Sequence, residues 1–278
     1  HLEHRRQRQM CIRDSGVRKS SGKEAEKVKK ILQKKGIQSY VFKINLSKLK
    51  NFHLEARQLR YDKIAEFCNK KKIKHVLLGH HLDDQIENFY IRLSRGSGLT
   101  GLSPIKKISK YKKHIFLRPF LSLGKRQLIK ISKKYFNFYL KDTSNFNNKY
   151  LRSRVRKLRS FMEKEGFGDV RLLKTLDNFD KAGEALNFYS ETAKKKFIKK
   201  KTNFISISKK LFNEPYEIVF RCISSFFTEK KDYPPRAKGI ARLIADLSQL
   251  NKKKVTLGGY IFENGLNLVK VKREFRKC

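Results

Sequence analysis

Between Gly16 and Ile131 short apolar runs alternate with stretches whose apolar residues recur every three or four positions, and few folds accommodate that order. Ser20 or Ser21 stands where a helix cap belongs, ahead of Ala25, Val28, Ile31 and Leu32 on one face, and Gly36 closes that helix. Tyr40 to Ile44 reads as a strand. A second helix carries Ala56, Leu59, Ile64 and Phe67, and His75 to Gly79 is the next strand. The helix after Asp83 buries Ile86, Phe89, Tyr90 and Leu93. Ile115 to Leu117 is a further strand, followed by a helix through Leu128, Ile129 and Ile131. Strand and helix in turn predict an α/β fold with a parallel sheet and crossover helices.

Near Tyr150 the character changes to a basic, mainly helical region. Phe188 to Lys201 reads as a helix with a solvated lysine-rich end, Phe204 to Ile207 as a strand and Ile218 to Phe227 as a buried helix. Another helix starts at Pro234-Pro235-Arg236, with Ile240, Leu243, Ile244 and Leu247 as its core face. Val255 to Ile261 and Leu266 to Val271, joined by a turn at Glu263-Asn264-Gly265, predict a small closing β-hairpin. Residues 1–15 show no periodicity and resemble a translated sequencing adapter. They are expected to be non-native or disordered and to add no core. The expected division is therefore 1–15, an α/β domain over 16–158, and a helical and small α+β region over 159–278.

Chemistry concentrates where one strand meets one helix. After Val76-Leu77-Leu78-Gly79 come His80, His81, Asp83, Asp84, Gln85 and Glu87. Ligands of open α/β sheets bind at the carboxyl ends of strands. Asp84 with Glu87 fits a D-x-x-E cap, which explains one or two acids but not the histidines and glutamine beside them. A carboxylate here suits Mg²⁺ that bridges nucleotide phosphates, with Asp84 as the ligand, or general-base work. His80 and His81 either meet phosphate or leaving-group oxygens or are packed strand-end residues.

Three further groups extend the site. Arg95, Gly96 and Gly98 form either an anion loop or a plain helix C-cap. Arg118, ending the next strand, has the fork for a phosphate or carboxylate. Asp142-Thr143-Ser144-Asn145 is a turn. Arg152, Arg154 and Arg156 then stand two apart, so they fan around a helix and suit a polyanion that wraps it.

The formal net charge is +43, from 68 Lys+Arg against 25 Asp+Glu. That balance favours a nucleic-acid partner, although Lys outnumbers Arg roughly two to one, as in an AT-biased genome. No apolar run approaches the roughly 18 to 20 residues that span a membrane, and no secretory signal is visible. Cys11, Cys68, Cys222 and Cys278 are scattered, which argues against a zinc or iron–sulfur site and for a reducing cytoplasm.

From Asp14 to Glu274 the residues resemble one family, the tRNA(Ile)-lysidine synthases among the PP-loop ATP pyrophosphatases. Asp14-Ser15-Gly16-Val17-Arg18 is similar to that family's D-H-G-[LI]-R, with Ser15 in the histidine position. Glu55, Ala56, Arg60 and Tyr61 match E-A-x-x-x-R-Y, and the stretch from Gly79 to Asn88 matches H-x-x-D-D-Q-x-E-[TN]. Residues 118–121, 142–145 and 150–156 follow in the family's order, with Ser153 where asparagine is usual. Residues 233–244 and 255–262 resemble the C-terminal part of alphaproteobacterial members.

The resemblance implies a Rossmann-like sheet of the adenine nucleotide alpha-hydrolase type. It implies a ligase that joins free lysine to C2 of the wobble cytidine in the CAU anticodon of tRNA(Ile), using ATP and Mg²⁺. Asp84, Asp83, His81 and Glu87 take the catalytic positions; His80, Arg95, Gly96, Gly98 and Arg118 face ATP. Arg152, Arg154, Arg156 and Arg236 face tRNA, and a homodimer is compatible with all of this. The S-G-G-x-D-S phosphate loop that precedes the D-H-G-[LI]-R segment in that family does not occur in the chain. Loss of its backbone anion contacts predicts a large loss of activity. Two alternatives stand beside this: a catalytically inactive tRNA-binding protein, and a tRNA thiolase of the same superfamily, which the lack of a cysteine pair disfavours.

Overall fold

A computed structural model describes residues 9–14, 21–43, 52–140, 151–228, 235–249 and 252–274. The expectations for Ser20, Ile44, the 142–145 turn and Pro234 lie outside them. The chain divides into two compact units, residues 1–97 with 104–173, and residues 98–103 with 174–278.

The first unit holds β1 (Gln9–Asp14), α1 (Ser21–Lys34), β2 (Gln38–Lys43), α2 (Phe52–Lys70), β3 (His75–Leu77), α3 (Leu82–Leu93), β4 (Ile108–Tyr111), β5 (His114–Leu117), α5 (Lys125–Phe136) and α6 (Leu151–Lys164). The short α4 (Leu99–Leu102) belongs to the second unit, and α7 (Asp169–Phe197) contains the boundary between the two. β1 pairs with β2 in parallel through the α1 crossover, as strand–helix alternation requires. β3 pairs with β5, also in parallel.

Three features depart from the sequence expectation. Part of the segment set aside at the N-terminus is β1, whose Gln9 to Asp14 pair residue for residue with Gln38 to Lys43; β2 supplies a template that local periodicity does not encode. The described strand pairs fall into two sheets, β1–β2 and β3–β5–β4. And β4 is antiparallel to β5 across a tight turn at Lys112-Lys113, with Lys112 at φ 52°. The core face of α2 is Tyr61, Ala65 and Cys68, an i, i+4, i+7 stripe, while Leu59 is exposed. Tyr61 packs edge-on against Phe116 of β5, ring centroids 5.1 Å apart, and Phe116 is fully buried. On α3, Ile86, Phe89 and Tyr90 are buried as expected, and Leu93 is exposed.

The second unit is built on an antiparallel sheet, ordered β6-β7-β10-β9-β8. Its strands are β6 (Ile198–Lys200), β7 (Ile205–Ser208), β8 (Lys254–Leu257), β9 (Tyr260–Asn264) and β10 (Leu268–Arg273). A 3-10 turn at Lys209–Asn213, α8 (Tyr216–Thr228) and α9 (Ala237–Ser248) complete it. The expected terminal hairpin is thus part of five strands. The lysine-rich tail after Phe197 is β6, not helix, because Ile198 to Lys200 pair with Ile205 to Ile207. The core joins Ile207, Leu211, Cys222, Ile223, Phe262 and Val269 to the predicted α9 face of Ile240, Leu243, Ile244 and Leu247. Among the described residues no helix is long and apolar enough to cross a membrane.

The stretch read as one strand, Val255 to Ile261, is split by Gly258-Gly259, both at positive φ (57° and 73°). That is the two-residue turn whose twist matches a hairpin. A Cβ on Gly258 would stand 2.7 Å from a Phe227 ring carbon and 2.9 Å from Pro235 Cγ. Gly258→Ala is therefore expected to destabilise by about 2–4 kcal/mol, from left-handed strain and overpacking together. Gly239→Ala on α9, where the nearest atom is 3.7 Å away, is the matched control and stays within about 1 kcal/mol. Thermal denaturation of the two variants makes the comparison.

Candidate active site

Two parallel strands end side by side, and their following loops run together. Leu78 N–H donates to Leu117 C=O at 2.8 Å, His81 bridges Phe120, and Leu82 N–H donates to Leu123 C=O at 3.0 Å. This brings the N-termini of α3 and α5 next to each other at the carboxyl edge of β3 and β5. His80, His81, Asp83, Asp84, Glu87 and Arg118 all belong to that edge.

The helix cap is not the one expected. His81 is the N-cap of α3, and Asp84, at the third helical position, accepts the His81 N–H at 3.1 Å. Glu87 takes no part in capping. It is 2% exposed and receives Arg156 through both Nε and Nη2, the latter at 3.1 Å, with Arg152 Nε 3.8 Å away. Asp83 accepts the Lys125 N–H at 2.7 Å and an Arg159 Nη1 hydrogen bond. Its carboxylate is also 3.4 Å from His81 Nδ1, and Asp84 Oδ2 is 3.6 Å from His81 Nε2.

The apparent acidity of the edge is thus largely an internal ion-pair network with α6. Asp83 and Asp84 are neither sealed nor open, at 21% and 19% side-chain exposure. Asp84 Oδ1 has no protein partner among the described residues, which leaves it the carboxylate oxygen available to a ligand.

Burial raises the cost of charge on Asp83, but His81, the Lys125 amide and Arg159 outweigh it and hold the carboxyl far below the usual range. The Asp83 carboxylate, 3.4 Å from Nδ1, pushes His81 upward against its burial, helped by Asp84 and Glu87. His80 goes the other way, to about 4, because burial disfavours the imidazolium and Arg118, Arg57 and Arg60 add to that against Asp84. His80 is a neutral imidazole at pH 7, and its buried Nδ1 has no hydrogen-bond partner among the described residues.

The other expected residues are placed as follows. Arg118 is 6% exposed, and its Nη1 donates to Lys106 C=O and Ser109 Oγ, both at 2.9 Å. That arm braces the loop before β4, while its buried Nε has no partner among the described residues. Gln85 likewise ties the loop, accepting Ile105 N–H at 2.7 Å.

Arg95 and Gly96 close the far end of α3. Gly96 N–H donates to Leu93 C=O, Ser97 N–H to Arg92 C=O, and Gly96 has φ 65°. Those amides are spent on the helix, and twelve residues of helix put about 18 Å between them and His81. Of the two readings for this turn, the C-cap is the one observed. Gly98 caps α4 and Arg236 caps α9, both in the second unit.

Arg152 and Arg156 do not fan apart. Four residues separate them, and both reach Glu87. Arg154 is exposed on another face. Arg159 was missed. Its signal was the 152, 156, 159 spacing, one stripe of α6, hidden by the more conspicuous alternate arginines.

A sequence profile describing the PP-loop domain matches residues 6–163, and so includes most of the segment first set aside. A tRNA(Ile)-lysidine synthase of Wolbachia pipientis wMel is 29% identical over 269 residues, 94% of this chain and 62% of that protein. The enzyme of the same name from the Brugia malayi Wolbachia is 30% identical over 88% of this chain and 58% of its own length. That from Orientia tsutsugamushi is 30% identical over 95% and 63%. The chain spans about three-fifths of the length of these relatives. Among solved structures, the U34-tRNA thiolase NcsA from Methanococcus maripaludis, with its 4Fe-4S cluster, superposes at TM-score 0.52. It is 15% identical, over 63% of this chain and 62% of its own, a likeness of fold.

Proposed function

The chain belongs to the PP-loop domain family, and from that premise we propose that it carries out lysidine formation on tRNA(Ile) with a CAU anticodon, in the cytoplasm, at the reduced turnover expected of a sequence without an S-G-G-x-D-S loop. The relatives of that name support the substrate pair, ATP and free lysine. The observation that carries the chemistry is the unclaimed Oδ1 of Asp84, held at a strand end by the His81 amide on its other oxygen.

Two displacements are required. The cytidine O2 attacks the α-phosphorus of ATP, and pyrophosphate leaves with the bonding pair. The lysine ε-amine, having given its proton to a base, then adds at C2, and AMP leaves. Asp84 is the carboxylate placed to accept that proton as the base. His80, neutral and half-buried, offers its ring to an oxygen that gains charge in either step. Asp83 and His81 set the geometry of the α3 N-terminus, and Arg156 holds Glu87 beneath it. Among the described residues no three His, Cys, Asp or Glu converge as a metal cage. Of these side chains Asp84 would hold a Mg²⁺ ion, whose charge would offset that of the substrate phosphates.

Exposed arginines, Arg152 and Arg154 on α6 and Arg236 on α9, with the surplus of lysine, provide the tRNA contacts. The logarithm of the tRNA binding constant is expected to fall linearly with log salt. Arg154→Ala is expected to lower that slope by about one, with little preference between RNA sequences. Filter binding from low to physiological salt measures it, and a flat salt response would count against RNA contact. The direct test of function is incorporation of labelled lysine into tRNA(Ile) by the chain. Lysine-dependent AMP release without a lysidine product, or binding without either, would overturn the ligase reading.

A further inference from the structure

Arg159 is 16% exposed and serves two carboxylates at once. Nη1 donates to Asp83, and Nη2 donates to both oxygens of Asp169 at 2.6 and 2.8 Å. Asp169 is the first residue of α7. The other oxygen of Asp83 accepts the N–H of Lys125, the first residue of α5, and stands 3.4 Å from His81 Nδ1. The first amides of a helix have no acceptor inside it, so Asp83 caps α5 from outside. One carboxylate therefore gathers the start of α5, the N-cap residue of α3 and the side chain of α6 that is anchored to α7.

We propose that Arg159 is a positioning residue of the candidate active site: it fixes Asp83, and through Asp83 it fixes His81 and the entry to α5, so that Asp84 and His80 meet substrate in one geometry. The proposal rests on the function read above. Asp83, with both oxygens engaged, then orients the site and does not itself accept the substrate proton. Arginine is required because its planar fork reaches two acceptors in two directions, whereas a lysine ammonium is a single point of charge.

The test compares Arg159→Met and Arg159→Lys with the unaltered chain in two measurements. The first is hydrogen exchange at the Lys125 amide, read against exchange of the fold as a whole. The second is the split of lysidine formation into kcat and the KM for ATP. For Arg159→Met the Lys125 amide is expected to exchange about tenfold faster or more. Turnover is expected to fall about tenfold or more, with KM within about twofold. Arg159→Lys is expected to recover part of both.

Unchanged Lys125 protection with unchanged turnover overturns the proposal. So does a raised KM with intact kcat, because Arg159 would then hold ligand directly. If Arg159→Met does not fold, Arg159→Gln, which keeps one donor arm, takes its place in the same comparison. If the unaltered chain forms no lysidine, the reading of function fails, and the Lys125 amide alone decides the positioning role.

Discussion

Asp84→Asn is expected to lower lysidine formation about 10²–10⁴-fold, the usual span for removing a general base, while leaving the melting temperature nearly unchanged. The two effects separate because Asp84 has two jobs on two oxygens. One oxygen accepts the His81 N–H and closes the α3 cap. An asparagine carbonyl accepts that hydrogen bond equally well, so the helix start survives. The other oxygen is the one without a protein partner among the described residues. An amide there takes no proton from an ammonium group and binds a divalent cation more weakly. Asp83→Asn is expected to differ in kind: Arg159 loses its charged acceptor, so stability and turnover fall together. Single-turnover assays beside thermal melts distinguish the two. Equal loss of activity and stability in Asp84→Asn would make Asp84 a structural cap and remove it from the chemistry.

What could be read in the sequence is what local spacing encodes. The α3 core of Ile86, Phe89 and Tyr90 and the α9 core of Ile240, Leu243, Ile244 and Leu247 each repeat within one element, and each is buried as expected, whereas the strand read at His75 to Gly79 forms over His75–Leu77 with Leu77 exposed. What stayed hidden depends on a partner far along the chain. β1 is a strand because β2 lies beside it, and β6 because β7 does. The Gly258-Gly259 turn was passed over because the apolar residues on either side continue one period through it. The site shows the same division. The cluster from His80 to Glu87 was legible as chemistry from residue types alone. Its electrostatics were not, because Glu87 meets Arg156, and Asp83 meets Arg159, about seventy residues away. A run of acids in a chain of +43 looked like an exposed negative site. Folding neutralises most of it and leaves one carboxylate oxygen for function.

That neutralisation makes Glu87 the acid whose loss costs most stability. Glu87→Ala is expected to destabilise the first unit by about 3 kcal/mol, near the lower end for breaking a buried ion pair. The lower end applies because Arg156 keeps 30% of its side-chain surface in water and so recovers part of its hydration. The carboxylate itself is 2% exposed, and its removal leaves a void and takes two hydrogen bonds from the Arg156 guanidinium. In a unit of this size the midpoint falls by roughly 6–12 °C. The ion pair need not be net stabilising for this to hold, since removing one partner costs more than replacing both. The double variant Glu87→Met with Arg156→Met is therefore expected to recover most of the loss in stability, though not activity. Arg156→Met alone is expected to destabilise by up to a similar amount, because it leaves the buried carboxylate only Arg152, 3.8 Å away. Urea denaturation of Glu87→Met, Arg156→Met and the double variant closes the cycle. A Glu87→Ala loss below about 1 kcal/mol would place the pair among surface contacts, and α6 would then be held against α3 by Ser153 and Val155, its buried side chains, and not by charge.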